Sequence, residues 1–410
     1  MPSPIGRALA PARVILGNRG FLGLLGCNIL LGLAFSFVNP FMSLFGEHEV
    51  GMSPGVFGAF MTATSLCGIA LSTILARWSD TRFSRRSILL LGSAAGALGY
   101  VGYALVRDAL WLLIIGSLLL GTASITFSLL FAHAREQLAR SELPPKDAPL
   151  YMNVFRLFFA LSWTVGPAIA SWVMIKYSFL GTFLMTAACF AALFVAIFFL
   201  IPSRPPSKAA RKEATFRETA RALARGEVLA YFTGFVMIYA CGSIGMISLP
   251  LLIVETLRGT ARNVGIVYAV APLFEMPLML LFGVLASRGD HSRLIRLSVL
   301  LAVAYYGSIA LTGAPWHIYP LQILSAAITA VTQGVAITFF QDFLPNQVGT
   351  ATNLYSNASR LGQIVGYVLF SWLAAPFGYR NLFLMNSAIC CAAFLLMWLY
   401  RPRLRPRPCA

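Results

Sequence analysis

Hydrophobic residues in this chain arrive in unbroken blocks of about twenty, the length that carries a helix across a hydrocarbon core. "FLGLLGCNILLGLAFSFVNPF", "ALWLLIIGSLLLGTASITFSLLF" and "NLFLMNSAICCAAFLLMWLY" show the pattern. A membrane strand needs apolar and polar residues in alternation, and these blocks do not alternate. The pattern predicts spans over 20–41, 53–76, 87–106, 110–132, 150–174, 181–201, 228–254, 263–286, 294–312, 316–340, 350–374 and 381–400. The expected class is therefore an all-α polytopic membrane protein with twelve transmembrane helices. Composition agrees: 58% hydrophobic, 11% charged and a mean hydropathy of +0.77 lie outside the soluble globular range.

The polar stretches between the blocks fix an expected orientation. With the N-terminus inside, the cytoplasmic side holds 24 Lys and Arg against five outside, Arg107, Lys176, Arg258, Arg262 and Arg380. That asymmetry places both termini in the cytoplasm. It also accounts for the net charge of +17 without a nucleic-acid partner, because the basic residues are spread over many short loops. Arg7, Arg13 and Arg19 precede a first block too long for a signal peptide, so that block is expected to act as its own insertion signal. Six of the seven cysteines fall inside apolar blocks without metal-ligand spacing and read as small packing residues.

"LYMNVFRLFF" from Leu150 returns as "LYSNASRLGQ" from Leu354, 204 residues later in a chain of 410. A repeat at half the chain length, with both copies starting on the same side, predicts two parallel, pseudo-symmetric six-helix halves. The expected division is a first bundle over 1–201, a cytoplasmic linker over 202–227 and a second bundle over 228–410. Within the linker, Arg217, Arg221 and Arg225 recur every four residues, as on one face of a helix lying on an anionic leaflet. A solvated charged face is the plainer reading.

Few residues inside the blocks can carry chemistry. Glu275, flanked by Pro272 and Pro277, is the one acid placed at the middle of a span. A charge at that depth costs about 2.5–3.5 kcal/mol, so desolvation favours the neutral acid. Glu275 is the candidate proton-coupling group; a permanently protonated Glu in interhelical hydrogen bonds is the alternative. Arg156 stands six residues, roughly 9 Å, into its span, and Arg360 ten residues, roughly 15 Å, into its own. They either snorkel to headgroups or share a cavity face with Asn153, Asn357 and Gln363. With Asn39, Gln333 and Trp163, these groups suit a neutral, hydroxyl-rich ligand: amides and Arg bond hydroxyls, and indole stacks on a sugar's C–H face. Intramembrane amides also serve as plain helix–helix glue. No nucleophile–base pair or metal spacing is seen, and the four His are scattered, so no enzyme, cofactor or metal site is expected.

Two loops and one kink are candidate gating elements. "ARWSDTRFSRRS" carries Asp80, Arg85 and Arg86, resembling the loop 2–3 signature of the major facilitator superfamily; "ASRGDHSRLIR" keeps Asp290 and Arg293 in the second half. Ala76, Phe83 and the late basic pair depart from that signature, and a positive-inside cluster is the simpler account. Gly166–Pro167 in "SWTVGPAIAS" resembles the span-5 motif of facilitator exporters, where it bends the helix. Finally, "FFQDFLPNQVGTATNLYSNASRLGQIVG", "LFEMPLMLLFG", "LLFAHAREQ" and "LSWTVGPAIA" resemble, in order, segments of the bacterial sugar efflux transporters, a small major facilitator family. The resemblance runs over most of the chain. It implies the major facilitator fold and a monomer in the bacterial inner membrane that exports sugars or glycosides in exchange for protons. It also brings Asp342, Asn353 and Tyr355 into the shared segments, with Asp342 taken as a further gating residue. Efflux of drugs or other small metabolites is the alternative transport reading, and a non-transporting receptor a more distant one.

Overall fold

The computed structural model describes residues 19–139, 148–203, 216–344 and 347–400, and the described residues are helical almost throughout. Ten helical stretches are long and apolar enough to cross a membrane. In order these are α1 (Phe21–Glu49), α2 (Pro54–Ser79), α3 (Arg85–Leu105) and α4 (Ala109–Leu138), then Ala148–Leu200. The linker helix α7 (Phe216–Leu223) follows. After it come α8 (Gly226–Thr256), α9 (Ala261–Arg288), α10 (His291–Ala310), α11 (Pro315–Phe343) and Val348–Leu399.

The two longest stretches are each a pair of helices. At 53 and 52 residues they would measure roughly 80 Å if straight, far more than one crossing requires. Each is broken at one residue with positive φ, Ser178 (φ 56°) and Gly378 (φ 71°). The chain reverses there. Phe155 packs on Phe21 with ring centroids 6.1 Å apart, and a Cβ on Gly23 would meet Leu200 at 3.1 Å, so both ends of the first pair lie beside the start of α1. The arms are α5 (148–177) and α6 (179–200). Likewise Tyr231 donates to the carbonyl of Met397, while Thr352 meets Gln341 near the end of α11. These arms are α12 (348–377) and α13 (379–399). Among the described residues, six apolar helices therefore precede α7 in the chain and six follow it.

Polar residues sit where helices begin. Ser84 accepts from the Ser87 amide before α3, Asp108 from Leu110 and Trp111 before α4, and Asp290 from Ser292 before α10; Thr260 and Asn263 form a capping box before α9. Each satisfies amides that a membrane helix leaves unpaired. One expected boundary moves. The first span reads as ending near Pro40, yet α1 continues through a short 3₁₀ turn at Asn39–Phe41 and a π turn at Phe45–Glu49. The tighter 3₁₀ turn absorbs the missing Pro40 amide, so Glu47 and His48 extend the helix.

The chain forms two compact units. One comprises Met1–Phe41 and Ala63–Ala210, the other Met42–Thr62 and Arg211–Ala410. In the first, Tyr100 of α3 stacks on Phe183 and Phe190 of α6, and Phe155 lies edge-on to Phe131 of α4. In the second, Tyr231 and Phe235 of α8 pack with Phe339, Phe340 and Phe343 of α11. Gly362 and Gly366 let α12 touch the backbone of Val236 and Ala240. Residues 42–62, placed in the first repeat by sequence, pack with the second unit: Ser371 donates to the Gly55 carbonyl at 2.6 Å, and a Cβ on Gly58 would lie 2.7 Å from Ser371.

Candidate functional site

In the second unit, α12 carries a group of exposed polar residues. Asn353, Asn357 and Arg360 are exposed, whereas Ala351, Leu354 and Ala358 are fully buried. The spacing i, i+4, i+7 sets the three polar side chains on one face. An amide-and-guanidinium stripe turned to lipid would be costly, so this face fits a water-filled space. Arg360 stands twelve residues into α12, which begins at Val348, about 18 Å along the axis. Arg156 lies eight residues into α5 and is also exposed.

On the other side of α12, α11 is interrupted at Val335. The Thr332 carbonyl just before the break accepts from the hydroxyls of Tyr239 (3.2 Å) and Tyr355 (3.0 Å). Those hydroxyls are 3.0 Å apart, and Tyr355 also reaches Gln333 Oε1 at 3.2 Å. Two tyrosines from α8 and α12 thus hold the broken helix and orient an exposed carboxamide. Sequence reasoning missed Tyr239; its signal, a tyrosine in an otherwise apolar block, is common to many packing residues. Glu275 lies in α9, which continues through Pro272 and Pro277. It is half-buried, one turn from Met279, whose methyl lies 3.7 Å from where a Gly334 Cβ would stand. The helix bearing the acid therefore packs against the α11 break.

In the first unit Trp163 is half-buried, and its indole N–H has no hydrogen-bond partner. Asn39 is exposed on the 3₁₀ turn of α1. Gly166 is where α5 meets α1: a Cβ there would fall 1.8 Å from Ser36 Oγ, and Pro167 follows inside the helix. Arg85 donates to Glu136 at 2.6 Å, while Arg86 donates to the Phe198 carbonyl and covers the Phe198 ring at 5.0 Å. Asp290 caps its own helix and lies 3.6 Å from Arg293; Asp342 bonds His291. The side chains of Asp80 and Asn153 lie outside the described residues. Two regions of the second unit escaped notice in the sequence. One is the pair His291–Asp342. The other joins the end of α1 to α8 and α13, where Glu47 accepts from Tyr379 and His48 bonds Glu255 at 2.9 Å.

Among the described residues, ten apolar helical stretches, the two longest each broken into a pair, define a multi-pass membrane protein. The chain belongs to the Major Facilitator Superfamily, whose model matches residues 24–366 and 318–408. It is 36% identical over 387 residues to a putative sugar efflux transporter of Deinococcus radiodurans, covering 93% of this chain and 98% of that one. Sugar efflux transporter A of Dickeya chrysanthemi is 32% identical, with 91% and 93% covered. Multidrug resistance protein MdtG of Proteus mirabilis is similar at 22%, over 91% and 93%. Among solved structures, the nucleoside transporter NupG superposes with a TM-score of 0.78 at 13% identity, over 94% of this chain and 100% of that one, a likeness of fold.

Proposed function

We propose that the protein exports sugars or glycosides across the bacterial inner membrane by proton antiport and alternating access, both termini facing the cytoplasm. The observation that carries the ligand class is the α12 face, where Asn353, Asn357 and Arg360 present exposed amide and guanidinium hydrogen-bonding groups. That chemistry suits a neutral polyol. The relatives named sugar efflux transporters support it, since they match this chain almost end to end. Arg156 and Trp163 in the first unit, with Asn39 and Asn153, complete the proposed ligand groups. Glu275 is the proposed proton carrier, and Asp80, Arg85, Arg86, Gly166, Pro167, Asp290 and Asp342 are proposed to take part in gating.

The test is uptake of radiolabelled lactose and methyl glycosides into inverted membrane vesicles under an imposed proton gradient. Accumulation that collapses with a protonophore is expected. The likeness to a multidrug resistance protein gives the second reading a definite form. Vesicles that accumulate lipophilic dyes but none of the sugars would establish it in place of the first.

A further inference from the structure

The C-terminal ends of α1 and α8 are built alike. Each closes in a π turn, Phe45–Glu49 in α1 and Leu252–Thr256 in α8. The same two backbone bonds follow each turn. The Val50 amide donates to the Phe45 carbonyl and Met52 to Gly46 in the first, Leu257 to Leu252 and Gly259 to Ile253 in the second. One residue in each has positive φ, Gly51 (74°) and Arg258 (53°). Glycine takes that conformation freely, whereas arginine takes it at a cost in backbone strain, so the second turn keeps the shape against local preference. These positions all lie 207 residues beyond their counterparts, and so does Glu255 beyond His48.

The two equivalent side chains bond each other. His48 Nε2 is 2.9 Å from Glu255 Oε1, with 42% and 37% of the side chains exposed. We propose that His48 and Glu255 form a latch that holds the hairpin 42–62, the end of α1 and the start of α2, on the second unit, and whose parting frees it. The chain reaches this hairpin from the first unit at Phe41 and returns to that unit at Ala63.

The hairpin is seated as one body. A Cβ on Gly46 would overlap the Phe57 ring, which ties its two arms together. Phe57 lies edge-on to Phe370 of α12 at 6.4 Å, Ser371 donates to the Gly55 carbonyl, and Tyr379 of α13 donates to Glu47. Residues 42–44 pack on α8, with Ser43 buried and its hydroxyl unbonded. Of these polar attachments, His48–Glu255 is the one exposed at both ends, so water can take up both partners as it parts. A bond between equivalent positions on turns of one geometry should also be rebuilt when its two residues are exchanged. Residues that matter only for local packing would not be rescued that way. That release opens a path to the outside rests on the orientation and alternating access proposed above; the latch itself does not depend on what is carried.

The test uses the full chain in lipid nanodiscs, with Ser43→Cys as reporter. A thiol there replaces an unbonded hydroxyl and is covered while the hairpin is seated. Its rate of reaction with a membrane-impermeant maleimide is measured at one fixed pH, with the chain lacking Ser43→Cys as background. Loss of one exposed pair should raise the rate about three- to fivefold. His48→Glu and Glu255→His should each show that rise, and the two together should return to within about twofold of wild type. Should a single variant fail to fold, His48→Ala with Glu255→Ala takes its place, adding no like charges and expected to label about threefold faster. Wild-type rates in the unpaired variants, or an exchanged pair that labels as fast as they do, would overturn the latch. Lactose counterflow on the same preparations gives the functional readout. Its absence in wild type would remove the sugar reading, while the maleimide rates, read without sugar, still decide the latch.

Discussion

Gly166→Ala should destabilise the first unit through a single contact. An alanine Cβ at 166 would fall 1.8 Å from Ser36 Oγ and 2.8 Å from Ser36 Cβ. Turning the hydroxyl away removes the first clash but not the second, because Cβ moves only with the backbone of α1. Ser36 is fully buried and its hydroxyl is engaged with the carbonyls of Leu33 and Ser162, so it has little room to yield. Overpacking of this kind costs about 1–3 kcal/mol. Gly26 on the same helix is the internal control, since a Cβ there meets nothing within 4 Å. Gly26→Ala should be neutral or stabilise by up to about 1 kcal/mol through helix propensity. Ser36→Gly removes both clashing atoms and should relieve Gly166→Ala, giving a coupling energy of about 1–2 kcal/mol in a double-mutant cycle. Thermal unfolding of purified protein, followed by intrinsic fluorescence or thiol-reactive dye, reads all four variants. Wild-type melting by Gly166→Ala, or an additive double mutant, would refute the close-contact account.

Other outcomes follow from the proposed site. Glu275→Gln fixes the neutral form, so proton-driven lactose export should fail while exchange without a gradient survives; wild-type export against a concentration gradient would return Glu275 to a structural role. Arg360→Lys keeps the charge and loses the planar fork of donors, and should raise KM about tenfold for lactose if the guanidinium bonds the ligand. Arg156→Lys should impair export likewise, and wild-type export by both would favour snorkelling. An introduced cysteine in 202–215 should react with an impermeant maleimide only in inverted vesicles; labelling in intact cells would reverse the orientation read from 24 basic residues against five.

Sequence alone determined the membrane class, the all-helical fold and the family. The physical reason is that a bilayer leaves no alternative: an apolar block of about twenty must form a helix to satisfy its backbone, whatever its neighbours do. The polar positions of α12 were legible for a related reason, because Asn353, Asn357 and Arg360 contrast with apolar surroundings at helical spacing. What lies between elements was not legible. Tyr239 and His291 look in sequence like a packing tyrosine and a scattered histidine; each gains its meaning from a partner 116 or 51 residues away. The passage of α1 through Pro40 and the packing of residues 42–62 with the second unit were likewise decided in three dimensions. Hydropathy reports only the transfer of a segment from water to lipid, whereas these features depend on which helices touch and at what height, set by side-chain volume and hydrogen-bond geometry after insertion.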